Sequence, residues 1–154
     1  MTQPRTHQLE YSYEVYIAAL PAQVWNGLVD GELTQKYVYG TRFTGRLDAG
    51  APYAFLGEGD FKVVDGTILE VTPGERLVMT WAAHWDEAAA KDRASRVRYE
   101  LTASGPSATR LRVVHDDFDG ETATYRGSVA GWPLMLSSLK TLLETGRPLV
   151  AGNP

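Results

Sequence analysis

Among the residues able to do chemistry, His115 stands in the most suggestive place. It ends the alternating run TRLRVVH (109–115), in which Leu111, Val113 and His115 share one side. An imidazole is thereby aimed where an apolar strand face should be buried. There it could orient a bound molecule by hydrogen bonding or move a proton. The plainer expectation is a histidine at a strand end, bonded to backbone or solvated. His7 and His84 lie far from it in sequence, and no H-x-H or H-x3-H pair exists, so no metal site is expected. Asp116, Asp117 and Asp119 could serve as paired carboxylates or hold a cation. Asp119 as a helix N-cap, with its neighbours facing the helix dipole, explains them more simply. Gly57-Glu58-Gly59-Asp60 has no basic residue and reads as a hairpin turn, not a phosphate loop. No serine sits in a nucleophile-elbow context, and spacing assembles no Ser/His/Asp set. With no cysteine, a thiol nucleophile, a disulfide framework and a thiolate metal site are excluded. No cofactor is implied.

The aromatic residues form the other candidate set. Trp81, Tyr99 and, on a later helix, Trp132 face inward by parity, where they could line a pocket for a planar or lipid-like molecule or simply fill a core. Trp85 continues the parity of Trp81 at the edge of the loop WDEAAAKDRA (85–94), as guard of a mouth or anchor of that loop.

Several elements must position these residues. Leu9 to Ile17 alternates as a strand with one buried face. Pro21 suits a first helical turn, and Val24, Trp25 and Leu28 share a helical face. Gly31 interrupts that helix, and 32–37 forms a second. Strands follow at 43–47, 52–56, 61–71, 76–83, 95–103 and 109–115, mostly separated by turn-forming residues. From Tyr125 a helical stripe of Val129, Trp132, Leu136, Leu139 and Leu143 appears, widened by Met135 and Leu142, and Gly146 with Pro148 stops it. Pro133 lacks the N–H that would bond Val129, which predicts a kink with helix on both sides, a bend able to set the gap beneath the helix. Short turns make consecutive strands antiparallel, and the terminal helix must cover the apolar face of the sheet. The fold class is α+β, a curved antiparallel sheet of about six to seven strands around a long C-terminal helix.

At 154 residues with 44% hydrophobic and 22% charged content, the chain suits one globular domain with a sizeable core. We place a flexible N-terminus at 1–8, the domain at 9–148 and a tail at 149–154. A net charge of -4 argues against nucleic-acid binding. No window is long or apolar enough for membrane insertion or a signal peptide, so a cytoplasmic location is expected.

The segments PAQVWNGLVD, GTILEVTPGERLVMTW, RVRYELTASGPSATRLRVVHDDF and the GW opening the terminal helix, taken in order, resemble the helix-grip (START-like, SRPBCC) superfamily. More narrowly, they resemble the branch named after the activator of the heat-shock-protein-90 ATPase. The resemblance covers nearly the whole chain and implies a cavity between the concave sheet face and the terminal helix, closed on one side by the two short helices. Two departures stand out: Tyr37 and Tyr39 where relatives often carry Trp, and Pro133 directly after Gly131-Trp132. The expected partner is a small apolar or amphipathic molecule, bound by Trp25, Phe43, Tyr53, Phe55, Met79, Trp81, Tyr99, His115, Trp132, Met135, Leu136 and Leu139. His115, Tyr99 and Tyr53 would orient it, and no catalytic residue is assigned. The alternatives are an enzyme of polyketide cyclase or hydrolase type using the same cavity, and a co-chaperone-like interaction module with a filled core. Leu134, almost opposite Trp132, hints at an exposed patch or homodimer contact.

Overall fold

The computed structural model describes residues 9–149; the expected flexible N-terminus and all of the tail beyond Leu149 lie outside them. Seven strands form one antiparallel sheet in the order β1-β7-β6-β5-β4-β3-β2. They are β1 (Tyr11–Ile17), β2 (Arg42–Gly45), β3 (Pro52–Leu56), β4 (Lys62–Thr72), β5 (Arg76–Ala83), β6 (Ser95–Ala103) and β7 (Thr109–Asp116). Helices α1 (Pro21–Val29) and α2 (Gly31–Tyr37) follow β1, short α3 (Glu87–Ala90) follows β5, and α4 (Ala123–Thr145) closes the chain. The expected α+β architecture is what forms. GEGD makes a tight 3-10 turn at Glu58–Asp60.

Period-two patterning puts Leu77, Met79, Trp81, Val97, Tyr99, Leu101, Leu111, Val113 and His115 on the concave face, all buried. Register aligns them across strands: Val97 pairs with Met79 and with His115, and Tyr99 with Leu77 and with Val113. On the opposite face, charges alternate. Glu100 meets Arg76 at 2.9 Å, Arg98 at 2.9 Å and Arg112 at 3.5 Å, and Arg96 forks onto Asp116. A solvated ladder of this kind marks which face is outside and adds little stability per pair.

Two termini differ from the expectation. Gly31 begins α2 instead of lying outside it, because Asp30 ends α1 and accepts from Glu32 N to cap α2. The N-cap of α4 is Thr122, whose side chain accepts from Tyr125 N at 3.1 Å, and not Asp119. Gly120, at φ 89°, turns the chain first, so the helix starts after Asp119 has been passed. Asp92 completes the cap by accepting from Thr124 N (2.9 Å) and Thr124 Oγ (2.7 Å). Asp116 and Asp117 pair instead with Arg96 and Arg93.

Helix continues without interruption on both sides of Pro133. Of the expected stripe, Trp132, Met135, Leu136, Leu139 and Leu142 are buried, joined by the small residues Thr124, Ser128, Gly131 and Ser138, whereas Tyr125, Val129 and Leu143 are half-buried and Leu134 is partly covered. Hydrophobicity alone misses part of the contact line here, because small residues let the helix approach closely. At its C-terminal half α4 is tied to β1: Lys140 Nζ donates to Tyr16 O at 2.7 Å, and Glu144 accepts from Ala18 N at 2.8 Å. Gly27 allows α1 to close onto Leu139, since a Cβ there would lie 2.7 Å from Leu139 Cδ1.

Where β4 crosses β5, Gly66 is needed for packing. A Cβ on it would stand 2.3 Å from the Thr80 carbonyl oxygen and 2.5 Å from Thr80 Oγ, and the same carbonyl accepts from Tyr53 OH. Gly66→Ala should therefore destabilise the protein by about 1–3 kcal/mol, the usual cost of overpacking against backbone. Denaturant unfolding monitored by tryptophan fluorescence would measure it.

Candidate functional site

The C-terminal half of α4 seals the core with Leu136, Leu139 and Leu142, but its N-terminal half does not fill the space it covers. Gly127 and Gly131 carry no side chain and Ser128 a short one, one helical turn apart on the face toward β3, β4 and β5. Beneath them lies a cavity of about 340 Å³, lined by Val38, Tyr39, Thr41, Phe55, Val63, Val64, Trp81, Trp85, Gly127, Ser128, Gly131, Trp132 and Met135. Its mouth runs between Tyr39, 42% exposed, and Trp85, 38% exposed. Trp85 lies against the glycine stripe; a Cβ on Gly127 would meet its Cζ2 at 2.9 Å.

Each wall is held by local chemistry. Thr34, fully buried in α2, accepts from Phe43 N (2.9 Å) and donates to Thr41 O (3.1 Å), which ties α2 to β2. Tyr37 turns into the helix pair and donates to Gly27 O at 2.7 Å, while Tyr39 reaches the cavity. The two tyrosines at the departure from the family pattern thus divide the work, one bracing α1 and one lining the mouth. Tyr39 adopts φ 50° and Gly40 φ 78°; a left-handed tyrosine is costly and places its ring over the opening. On the far side, the Asp92 cap joins α4 to the loop that carries Trp85.

Of the residues expected to bind a ligand, Phe55, Trp81, Trp132 and Met135 line this cavity. Trp25, Phe43, Tyr53, Met79, Tyr99, Leu136 and Leu139 are buried in the core around it, and His115 is buried beside them. Tyr53 spends its hydroxyl on Thr80 O. Parity identified the inward face but not which part of it stays unfilled. Val38, Tyr39, Thr41, Val63, Val64 and the small residues of α4 were missed: absent side chains make no hydrophobic signal, and loop residues have no periodicity. Trp85, expected as guard of a mouth or anchor of its loop, lines the cavity at its exposed side.

His115 is neither bonded to backbone nor solvated. It is fully buried, with Nδ1 accepting from Trp132 Nε1 at 3.0 Å and Nε2 2.7 Å from Ser95 Oγ. An indole N–H only donates, so Nδ1 carries no proton and the neutral ring holds its proton on Nε2. Nε2–H therefore donates to Ser95, and Ser95 Oγ donates onward to Trp81 O at 3.3 Å. The direction of this chain is opposite to that required for activating a serine, where the imidazole must accept. His115 is a strut between helix and sheet. Among the described residues no three His, Cys, Asp or Glu gather to hold a metal, and His84 meets only Asp65, at 2.9 Å.

The family model described as Activator of Hsp90 ATPase homolog 1-like protein matches residues 18–144, from the end of β1 to the last turn of α4. The chain belongs to this family. Among solved structures it is similar to protein MLL2253 from Mesorhizobium loti, at 26% identity and TM-score 0.73, covering 88% of this chain and 97% of that one. The Aha1 dimer from Colwellia psychrerythraea shares the fold at 19% identity and TM-score 0.71, covering 90% and 98%. So does DynU16, a protein of the dynemicin biosynthetic locus, at 24% identity and TM-score 0.72; it covers 90% of this chain, which spans about half (48%) of DynU16. No curated protein sequence matches the chain. The helix-grip architecture is thus that of the family, and no helix among the described residues is long and apolar enough to cross a membrane.

Burial holds the His115 imidazole down to about 3 from an ordinary 6.5. In the unfolded chain the same group takes up its proton near the ordinary value, so between these two pH values the unfolded state binds more protons. The contribution to stability is complete above about pH 6.5. It should fall by up to about 1.4 kcal/mol per pH unit as pH drops toward 3. Denaturant unfolding at a series of pH values should show that slope in the unaltered protein, and His115→Gln should flatten it.

Proposed function

We propose that this member of the family binds a small, largely apolar molecule in the space between α4 and the β3–β5 side of the sheet. The observation that carries this reading is the aromatic-walled cavity of about 340 Å³, within the size range of small-molecule sites. Burying ligand surface against Phe55, Trp81, Trp132 and Met135 supplies affinity at roughly 25 cal/mol per Å² of apolar area. Trp85 and Tyr39 form the entrance. An interaction module with a filled core fits this interior less well. An acid/base enzyme working through His115 is disfavoured by a ring whose two nitrogens are already engaged. The solved dimer of a related fold makes a homodimer a compatible assembly.

The experiment uses phenylnaphthylamine, a neutral apolar dye whose fluorescence rises on leaving water. Full-length protein should enhance its emission in a saturable way, and native mass spectrometry of freshly purified protein should find copurifying mass. Gly131→Leu, which projects a branched side chain into the cavity, should abolish the enhancement while thermal unfolding stays cooperative. Gly131→Ala is milder: its Cβ would meet Met135 Cε and Tyr39 OH at an ordinary 3.6 Å. It should stabilise the helix by about 0.5–1 kcal/mol and weaken the dye. A chain that leaves the dye dark, with no copurifying ligand, would not be a carrier of apolar molecules.

A further inference from the structure

Two aromatic rings stand at the mouth of the cavity, and each lies on a glycine of α4. A Cβ on Gly127 would come within 2.9 Å of Trp85 Cζ2 and 3.4 Å of its Cε2, so this indole packs directly on helix backbone. A Cβ on Gly131 would meet the Tyr39 hydroxyl at 3.6 Å and its Cε2 at 4.0 Å. Residues four apart share a helical face, and at about 1.5 Å of rise each the two glycines are separated by roughly 6 Å along the axis. Trp85 and Tyr39 both line the cavity and both remain partly exposed.

The backbone beneath each ring is pinned. On the Tyr39 side, Val38 O accepts from Thr41 N at 2.9 Å and from Thr41 Oγ at 2.7 Å, closing a turn over the left-handed Tyr39 and Gly40. On the Trp85 side, His84 N donates to Val63 O at 2.8 Å, and Asp86 caps α3 by accepting from Ala89 N at 2.8 Å. With both loops held, the mouth widens by rotation of a ring about its own side-chain bonds.

Seats this close sort molecules by shape. A flat aromatic molecule is one atom thick in one direction and can pass edge-on between two rings. A compact aliphatic cage is wide in every direction, so a ring must first leave its glycine and give up its contacts there. We propose that Tyr39 and Trp85 are the specificity-determining residues of the cavity, admitting flat molecules and holding back bulky ones of equal polarity. This rests on the cavity-binding reading above and adds to it the shape of molecule that enters.

The test compares naphthalene with adamantane, neutral hydrocarbons of equal carbon count, the first flat and the second globular. Their entry rates into full-length protein are read by stopped-flow competition with phenylnaphthylamine. Naphthalene should enter about tenfold faster, the rate equivalent of one aromatic contact broken. Trp85→Ala should bring the two rates together. Gly127→Ala, whose new methyl group displaces the indole, should speed adamantane without removing the ring, and it decides should Trp85→Ala fail to fold. A preference arising from the aromatic walls instead appears in the dissociation constants and persists in both variants. Equal entry rates in the unaltered protein, failure of naphthalene to compete, or a rate difference that survives in the variants overturns the proposal and leaves the cavity reading to the dye. Binding of none of these molecules, dye included, overturns both.

Discussion

A single buried hydrogen-bonded chain joins the two layers of this protein: Trp132 Nε1 to His115 Nδ1, His115 Nε2 to Ser95 Oγ, and Ser95 to the Trp81 carbonyl. Each link is dry, so losing any member would leave a polar group buried without a partner. The chain sets the rotation of α4 over the sheet and the rotamer of Trp132. It also holds the imidazole neutral, because a second proton on Nδ1 would face the indole N–H. Trp132 packs on Trp81 with ring centroids 5.5 Å apart and on Tyr99 at 5.9 Å. These contacts seat the helix at a residue that also borders the cavity.

Once α4 is seated there, the empty space follows from its sequence. The four residues before Trp132 include Ser128 and Gly131, with Gly127 one turn earlier, and none can reach the sheet. The buried leucines after it, Leu136, Leu139 and Leu142, are large and close the core. One helix thus serves as plug at one end and as roof at the other. The bend expected at Pro133 is not required for this; missing side chains provide the room. The mouth is governed by the two neighbouring loops, and Asp92 and Thr34 anchor them with hydrogen bonds that cross between elements.

Family membership bears on the fold more than on chemistry. Similar structures with TM-scores near 0.7 and identities from 19% to 26% include the Aha1 dimer and a protein of a biosynthetic locus. A fold kept at such low identity is expected where function resides in a site placed on a shared framework.

The sequence by itself determined the order of elements, the antiparallel sheet, the inward parity of Trp81, Tyr99 and His115, and the stop at Gly146. These are local consequences of period, turn chemistry and backbone freedom. Only the tertiary structure decided that Thr122 and Asp92 cap α4, that His115 is bonded between Trp132 and Ser95, and that the unfilled space lies under Gly127 and Gly131. Each depends on groups distant in the chain meeting at a definite rotation of α4, and periodicity carries no information about that rotation. A cavity is the place where side chains are missing. A hydrophobic pattern records only the side chains that are present, so it located the wall and not the void.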